Sequence, residues 1–86
     1  MVCSVEISMY PLKENFKPSI IVFIKNLRKY PFIKVTTNGM STQVFGEYKR
    51  VMNAINTEME NTFLNENSVI FNLKVINSDL EEKPNF

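Results

Sequence analysis

The chain has no histidine and no tryptophan, and only one cysteine and two glycines among its 86 residues. Each scarcity removes a class of chemistry. Without histidine there is no imidazole general base, no Ser/His or Cys/His pair and no histidine-ligated metal. A lone Cys3 cannot close an internal disulfide, complete a zinc site or hold an iron–sulfur cluster; it reads as a small buried residue. Charge of one sign is scarce too. Ten basic against nine acidic side chains leave +1, which exerts no global pull on nucleic acid or an anionic membrane. The longest apolar run, Ile20-Ile21-Val22-Phe23-Ile24, is far short of the ~20 residues that cross a bilayer. Residues 1–12 lack the basic and apolar regions of a signal peptide. The expectation is a cytoplasmic domain with no membrane and no nucleic-acid partner. At 44% apolar and 22% charged, it is one small module better suited to binding than to catalysis.

What is present is periodicity. Val5, Ile7 and Met9 alternate with Ser4, Glu6, Ser8 and Tyr10, which predicts a strand buried on one face and ended by Pro11. Pro18 opens a helical pattern in which Ile20, Phe23, Ile24 and Leu27 share a face, with Pro31 as its stop. Residues 32–37 and 41–45 predict two strands joined at Asn38-Gly39, a pair that tolerates positive φ in tight hairpins. A second helix starts at Gly46-Glu47, with Val51, Ile55, Met59 and Phe63 as its apolar stripe and Glu58 and Glu60 on its solvated surface. Ser68 to Ile76 predicts the last strand. Residues 77–86 have no period and are expected to form a polar, mobile tail beyond a 1–76 domain.

The order β-α-β-β-α-β, with right-handed crossovers, predicts a ferredoxin-like α+β sandwich. Its antiparallel sheet would run 4-1-3-2, with both helices on one face. The other face is then left open. It would carry Glu6 between Gln43 and Lys74, together with Tyr10, Phe45, Ile70, Asn72 and Ile76. Such a half-apolar surface suits self-association.

Two enzymatic or nucleic-acid uses of this topology lack their residues. RNA recognition needs aromatic platforms on the central strands, and only Tyr10 and Phe45 are on offer. An anion-cradling loop needs glycine and a nearby arginine, and Pro11-Leu12-Lys13-Glu14-Asn15 has neither. No catalytic residues, metal ligands or cofactors are expected.

Val5-Glu6-Ile7-Ser8-Met9-Tyr10-Pro11-Leu12 and Thr37-Asn38-Gly39-Met40-Ser41-Thr42-Gln43-Val44-Phe45-Gly46 together resemble the opening strand and central hairpin of the YkoF-like thiamine/hydroxymethylpyrimidine-binding proteins. The resemblance spans residues 2–76. It implies a non-enzymatic domain that binds thiamine or its pyrimidine moiety and assembles through its sheets as a homodimer or homotetramer. An aminopyrimidine needs a flat apolar wall and a few fixed polar groups. Thr37, Asn38, Ser41 and Thr42, with backbone amides around Gly39, could supply the polar groups, and Tyr10 and Met40 the wall. Glu6, Phe45, Ile70, Asn72 and Ile76 would form the subunit interface. The same residues also admit a plainer reading: Asn38-Gly39 as a turn, Thr37 and Thr42 as strand formers, Tyr10 and Met40 as packing. On that reading the chain is a structural or regulatory module that assembles through its open face without a small ligand.

Overall fold

The computed structural model describes residues 1–82 and 84–86. Six elements follow in order: β1 (Val2–Pro11), α1 (Lys17–Leu27), β2 (Ile33–Thr37), β3 (Thr42–Glu47), α2 (Tyr48–Asn65) and β4 (Val69–Ile76). The strands form one antiparallel sheet in the order β2-β3-β1-β4. This is the ferredoxin-like arrangement expected from the alternation of periods. Glu6 does stand opposite Gln43 on one side and Lys74 on the other.

The core lies between the sheet and the two helices. Val5, Ile7 and Met9 from β1 and Val44 from β3 meet Phe23 and Leu27 of α1 and Val51, Ala54 and Ile55 of α2. Fully burying a side chain such as Leu27 or Ile55 contributes roughly 1.5–3 kcal/mol. Phe71 on β4 packs against Phe23 (centroids 4.9 Å apart) and edge-on against Phe63 (5.5 Å). Cys3 is fully buried in this core. Burial, then the nearby Glu47 charge, pushes its thiol above the usual range, so it behaves as an inert core residue.

Several local expectations are corrected. Pro11 does end β1, but from inside the ladder: it is the last residue of the strand and stands opposite Val69 of β4. It is tolerated because, by the alternation of the ladder, its nitrogen points to the side where no strand lies. Helix α1 stops at Leu27, ahead of Pro31, in a turn where the Arg28, Lys29 and Tyr30 N–H groups bond to the Ile24, Asn26 and Leu27 carbonyls. Gly46 belongs to β3 rather than to the helix. Glu47 is the N-cap of α2 and its carboxylate accepts from the Arg50 N–H (3.2 Å). That bond, more than any other influence, holds the Glu47 carboxyl below its usual range.

The expected stripe of α2 is rotated. Phe63 is about half exposed, whereas Glu58 is only 7% exposed. A strict i, i+4 stripe precesses around a 3.6-residue helix, so Val51, Ala54, Ile55 and Glu58 are the residues brought beneath it. Burial of Glu58 is tolerated because the Tyr30 hydroxyl donates to its Oε2 at 2.7 Å, with Asn61 Nδ2 at 3.5 Å from Oε1.

The tail is not free at its start. The Ser4 hydroxyl donates to the Ser78 carbonyl (2.7 Å) and accepts from the Leu80 N–H (2.8 Å). Glu81 pairs with Lys34 at 2.7 Å. This strap crosses the open face, which is why Ser4, expected to be uncovered there, is buried. Lys83, also assigned to the tail, lies outside the described residues.

Candidate functional site

The two ladders of β1 end at different places. Its pairing with β3 stops at Ile7 opposite Thr42, while its pairing with β4 continues to Pro11 opposite Val69. Backbone groups in an antiparallel sheet alternate sides along a strand. The Leu12 N–H bonds to the Ser68 carbonyl and the Tyr48 N–H to the Met1 carbonyl. These two contacts fix even-numbered residues of β1 as partners of β4 and odd-numbered ones as partners of β3. Met9 is the next odd residue after Ile7. Its N–H and C=O therefore point to where β3 would continue, and no strand is there.

What lies there is a cleft of about 160 Å³. Its floor is Ile7 to Tyr10 of β1, its apolar wall is Ile20, Phe23 and Ile24 of α1, and its rim is the hairpin loop, Thr37 to Thr42. All seven residues singled out for ligand contact, Tyr10, Thr37, Asn38, Gly39, Met40, Ser41 and Thr42, line this one cleft. Pockets that enclose whole drug-sized ligands run to roughly 300–1,000 Å³. This one matches a single small ring rather than a two-ring molecule.

The individual roles differ from those read off the sequence. The hairpin reverses over Gly39-Met40, not Asn38-Gly39, and neither Asn38 nor Gly39 has positive φ. Instead the Asn38 side chain shapes the loop: its Oδ1 accepts from the Met40 N–H (2.9 Å) and the Ser41 N–H (3.1 Å). The Asn38 N–H bonds to the Ser41 carbonyl at 3.1 Å. An asparagine that bonds to the backbone two and three residues on mimics a turn. Its carbonyl is thus committed to the loop, and the carboxamide N–H groups are what it has left to offer. Thr37 and Thr42 face each other across the hairpin with hydroxyls 3.0 Å apart. Thr42 is buried, Tyr10 half-exposed, and Met40 almost wholly exposed at the loop tip.

Ser41 turns to the other face of the sheet. Its hydroxyl donates to Glu6 Oε2 (2.8 Å) and accepts from Gln43 Nε2 (2.8 Å). Lys74 Nζ lies 3.6 Å from Glu6 Oε1. Glu6 is thereby bound up in a surface network beside the loop. Phe45, Ile70, Asn72 and Ile76 share its face, with Ile70 and Ile76 about half exposed. A second, larger hollow of about 490 Å³ sits on this face between Glu6, Phe45, Ile76 and Leu80 of the strap.

Three contributors to the hairpin cleft had no signal in the residue types alone: the Met9 peptide edge, Ser8 and the α1 wall. The length mismatch between β1 (10 residues) and β3 (6 residues) is the feature that would have exposed the first of them. Among the described residues no group of three or more His, Cys, Asp or Glu could hold a metal ion, and no helix is long and apolar enough to cross a membrane.

Solved structures of similar shape share this fold. One is described as a "hypothetical protein" of Methanocaldococcus jannascii: TM-score 0.77, 23% identity, 94% of this chain and 84% of that one covered. Another, from Thermotoga maritima, is described as a "putative thiamine biosynthesis/salvage protein": TM-score 0.78, 17% identity, 87% and 82% covered. A third is a domain of unknown function from Bacillus cereus: TM-score 0.74, 11% identity, 93% and 79% covered. At these identities the likeness establishes the fold and nothing finer. No family model matches the sequence, and no curated protein is significantly similar to it.

Proposed function

We propose that the chain is a non-enzymatic binding module of the cytoplasm that takes the aminopyrimidine ring of thiamine, or free hydroxymethylpyrimidine, in the hairpin cleft, and works as a homo-oligomer. The observation that carries this reading is the unpaired peptide edge of Met9 facing an apolar-walled cleft. An aminopyrimidine presents an amino donor beside a ring acceptor, and a β-strand edge offers the matching C=O and N–H. The ring itself would lie between Met9, the α1 wall and the Asn38–Met40 loop. The small volume suits one ring, so the thiazolium of whole thiamine would extend out of the cleft past Tyr10, where cation–π attraction of about 0.5–2 kcal/mol is available. The thiamine-related description of one fold neighbour points the same way. Calorimetric titration with hydroxymethylpyrimidine and with thiamine tests it. Saturable heat with both, weakened in parallel by Thr42→Val, is the expected result. Absence of heat and of thermal shift at millimolar ligand would sink it.

A second reading, assembly through the open face without a small ligand, is favoured by the half-exposed Ile70 and Ile76 beside Phe45. Phe45→Lys should then lower the oligomer mass in light scattering while leaving the melting transition in place.

A further inference from the structure

We infer that the seam between the outer faces of α1 and α2 is a binding site for a linear aliphatic polyamine, anchored by the Glu58 carboxylate. The seam lies in the helix layer, apart from the hairpin cleft, so the inference is independent of what that cleft binds.

Two helical stripes border the seam. Ser19, Val22 and Asn26 recur at helical spacing on α1, and Glu58, Asn61 and Asn65 do so on α2. Between them runs a groove of about 300 Å³. Packed helices ordinarily close such a seam by fitting the side-chain ridges of one into the grooves of the other. Here it stays open, and Val22, midway along it, is 57% exposed.

What the groove has left to offer is acceptors. Asn65 Nδ2 donates to the Asn61 carbonyl (2.7 Å), the Thr62 hydroxyl to the Glu58 carbonyl (2.8 Å) and the Ser19 hydroxyl to Glu66. Asn61 Nδ2 is turned toward Glu58. The Oδ1 atoms of Asn61 and Asn65 receive no hydrogen bond among the described residues.

Glu58 is 7% exposed, yet among the described residues no lysine or arginine pairs with it. Its Oε2 accepts from the Tyr30 hydroxyl at 2.7 Å, whereas Oε1 has only Asn61 Nδ2 at 3.5 Å, beyond the 2.7–3.2 Å of an ordinary N–H···O bond. A buried carboxylate calls for a cation, and the open side of Glu58 is the groove. At the far end stands Glu66, paired with Lys13 at 3.1 Å. The two carboxylates are separated by about 12 Å of helix rise.

This arrangement selects among cations. A divalent metal needs several oxygens converging on one point, and the acceptors here are strung along a line. An ammonium has three donors and no acceptor. A chain of methylenes with ammonium groups at intervals would set one ammonium on Glu58 Oε1, lay its methylenes over Val22, and bring the next ammonium to the Asn61 and Asn65 carboxamide oxygens.

Calorimetric titration of the full chain with spermidine, putrescine and magnesium chloride tests this. Saturable binding of one spermidine per chain is expected, several-fold tighter than putrescine, with Mg²⁺ unable to compete at equal concentration. Asn65→Lys sets an ammonium in the groove from an exposed position and should weaken spermidine about tenfold or more, with native-like circular dichroism. Glu58→Gln should weaken it similarly. Glu60→Gln, the same change in net charge at an α2 residue outside the groove, should leave it unaltered. If Glu58→Gln unfolds, the contrast between Asn65→Lys and Glu60→Gln decides. The proposal is overturned by absence of saturable heat at millimolar spermidine, by Mg²⁺ competing as well as spermidine, or by equal effects of Asn65→Lys and Glu60→Gln.

Discussion

Ile7 and Thr42 form the last rung of the ladder between β1 and β3, although β1 runs on to Pro11. Everything specific about the hairpin cleft follows from that early end. The chain must reverse between Thr37 and Thr42, so the loop stands off from β1 and leaves the Met9 peptide without a strand opposite it.

The loop is held in place by Asn38. Asn38→Ala removes the acceptor for the Met40 and Ser41 N–H groups. These groups are exposed and water replaces the carbonyl, so the cost to global stability should be about 0.5–1.5 kcal/mol. The cleft should suffer more than the fold does, because its rim loses its shape. Ligand affinity by calorimetry should therefore drop further than the chemical-denaturation midpoint suggests. Asn38→Asp, which keeps the acceptor, should restore the loop. Equal loss with both variants would show that the carboxamide N–H groups, and not loop shape, carry the effect.

The two glycines make opposite predictions. Gly46 sits at φ +155°, and a Cβ there would lie 3.2 Å from the Phe32 carbonyl oxygen and 3.2 Å from a Val51 methyl. Gly46→Ala should destabilise the chain by about 1–3 kcal/mol through backbone strain and crowding of α2 against the sheet. Gly39, at the hairpin, has nothing within 4 Å of such a Cβ and no positive φ, so Gly39→Ala should be nearly silent. Urea denaturation of both variants checks the contrast.

That inversion shows what was legible in the sequence. The alternation from Val5 to Met9 and the helical spacing of Ile20, Phe23, Ile24 and Leu27 are local signals, and the elements, their order and the partners of Glu6 followed from them. The reversal between Thr37 and Thr42 was also read correctly, though it turns over Gly39-Met40 rather than Asn38-Gly39. Its turn type was not, because the asparagine side chain bonds to the loop and removes the need for positive φ. Gly46 was read as the start of a helix, yet it belongs to β3, and its constraint comes from Val51 one turn into α2 and from Phe32, a long-range neighbour. Glu58 and the strap over Ser4 were missed for the same reason: each is decided by a long-range partner, Tyr30 in one case and the tail in the other. The cleft residues were named from the hairpin, but the Met9 edge depends on comparing two ladders, which no single segment encodes.

Glu66, just beyond α2, ties the helix layer together. It accepts from the Ser19 hydroxyl and pairs with Lys13 at 3.1 Å. The Ser19 bond first, and Lys13 second, hold its carboxyl below the usual range. A carboxyl depressed in the folded state contributes stability in full above its unfolded value, near 4.5, and loses it as pH falls through the folded value. The stability gap between wild type and Ser19→Ala should thus be present at neutral pH and close under acid conditions. Denaturation midpoints measured across pH 3–7 check this. Added salt should shrink the Lys13 share, since that pair is solvent-exposed.

The Tyr30 hydroxyl donates to Glu58, the carboxylate that is buried among the described residues. Tyr30→Phe leaves a carboxylate that is 7% exposed with only the long Asn61 contact, and should cost about 1–3 kcal/mol. The double variant Tyr30→Phe/Glu58→Leu should recover part of that loss, because an apolar pair of similar shape has no unmet partner. The contact also has an alkaline limit. Its bond to the Glu58 carboxylate, then burial, raises the Tyr30 hydroxyl above its ordinary 10.0. A group raised in the folded state contributes fully below its unfolded value and loses that contribution as pH climbs through the folded one. Wild type and Tyr30→Phe should therefore differ most below pH 10 and converge above it, where a tyrosinate would face a carboxylate. Thermal melts of the two proteins on either side of that pH decide the point. A constant difference across the range would mean that Tyr30 acts by packing and not through its hydroxyl.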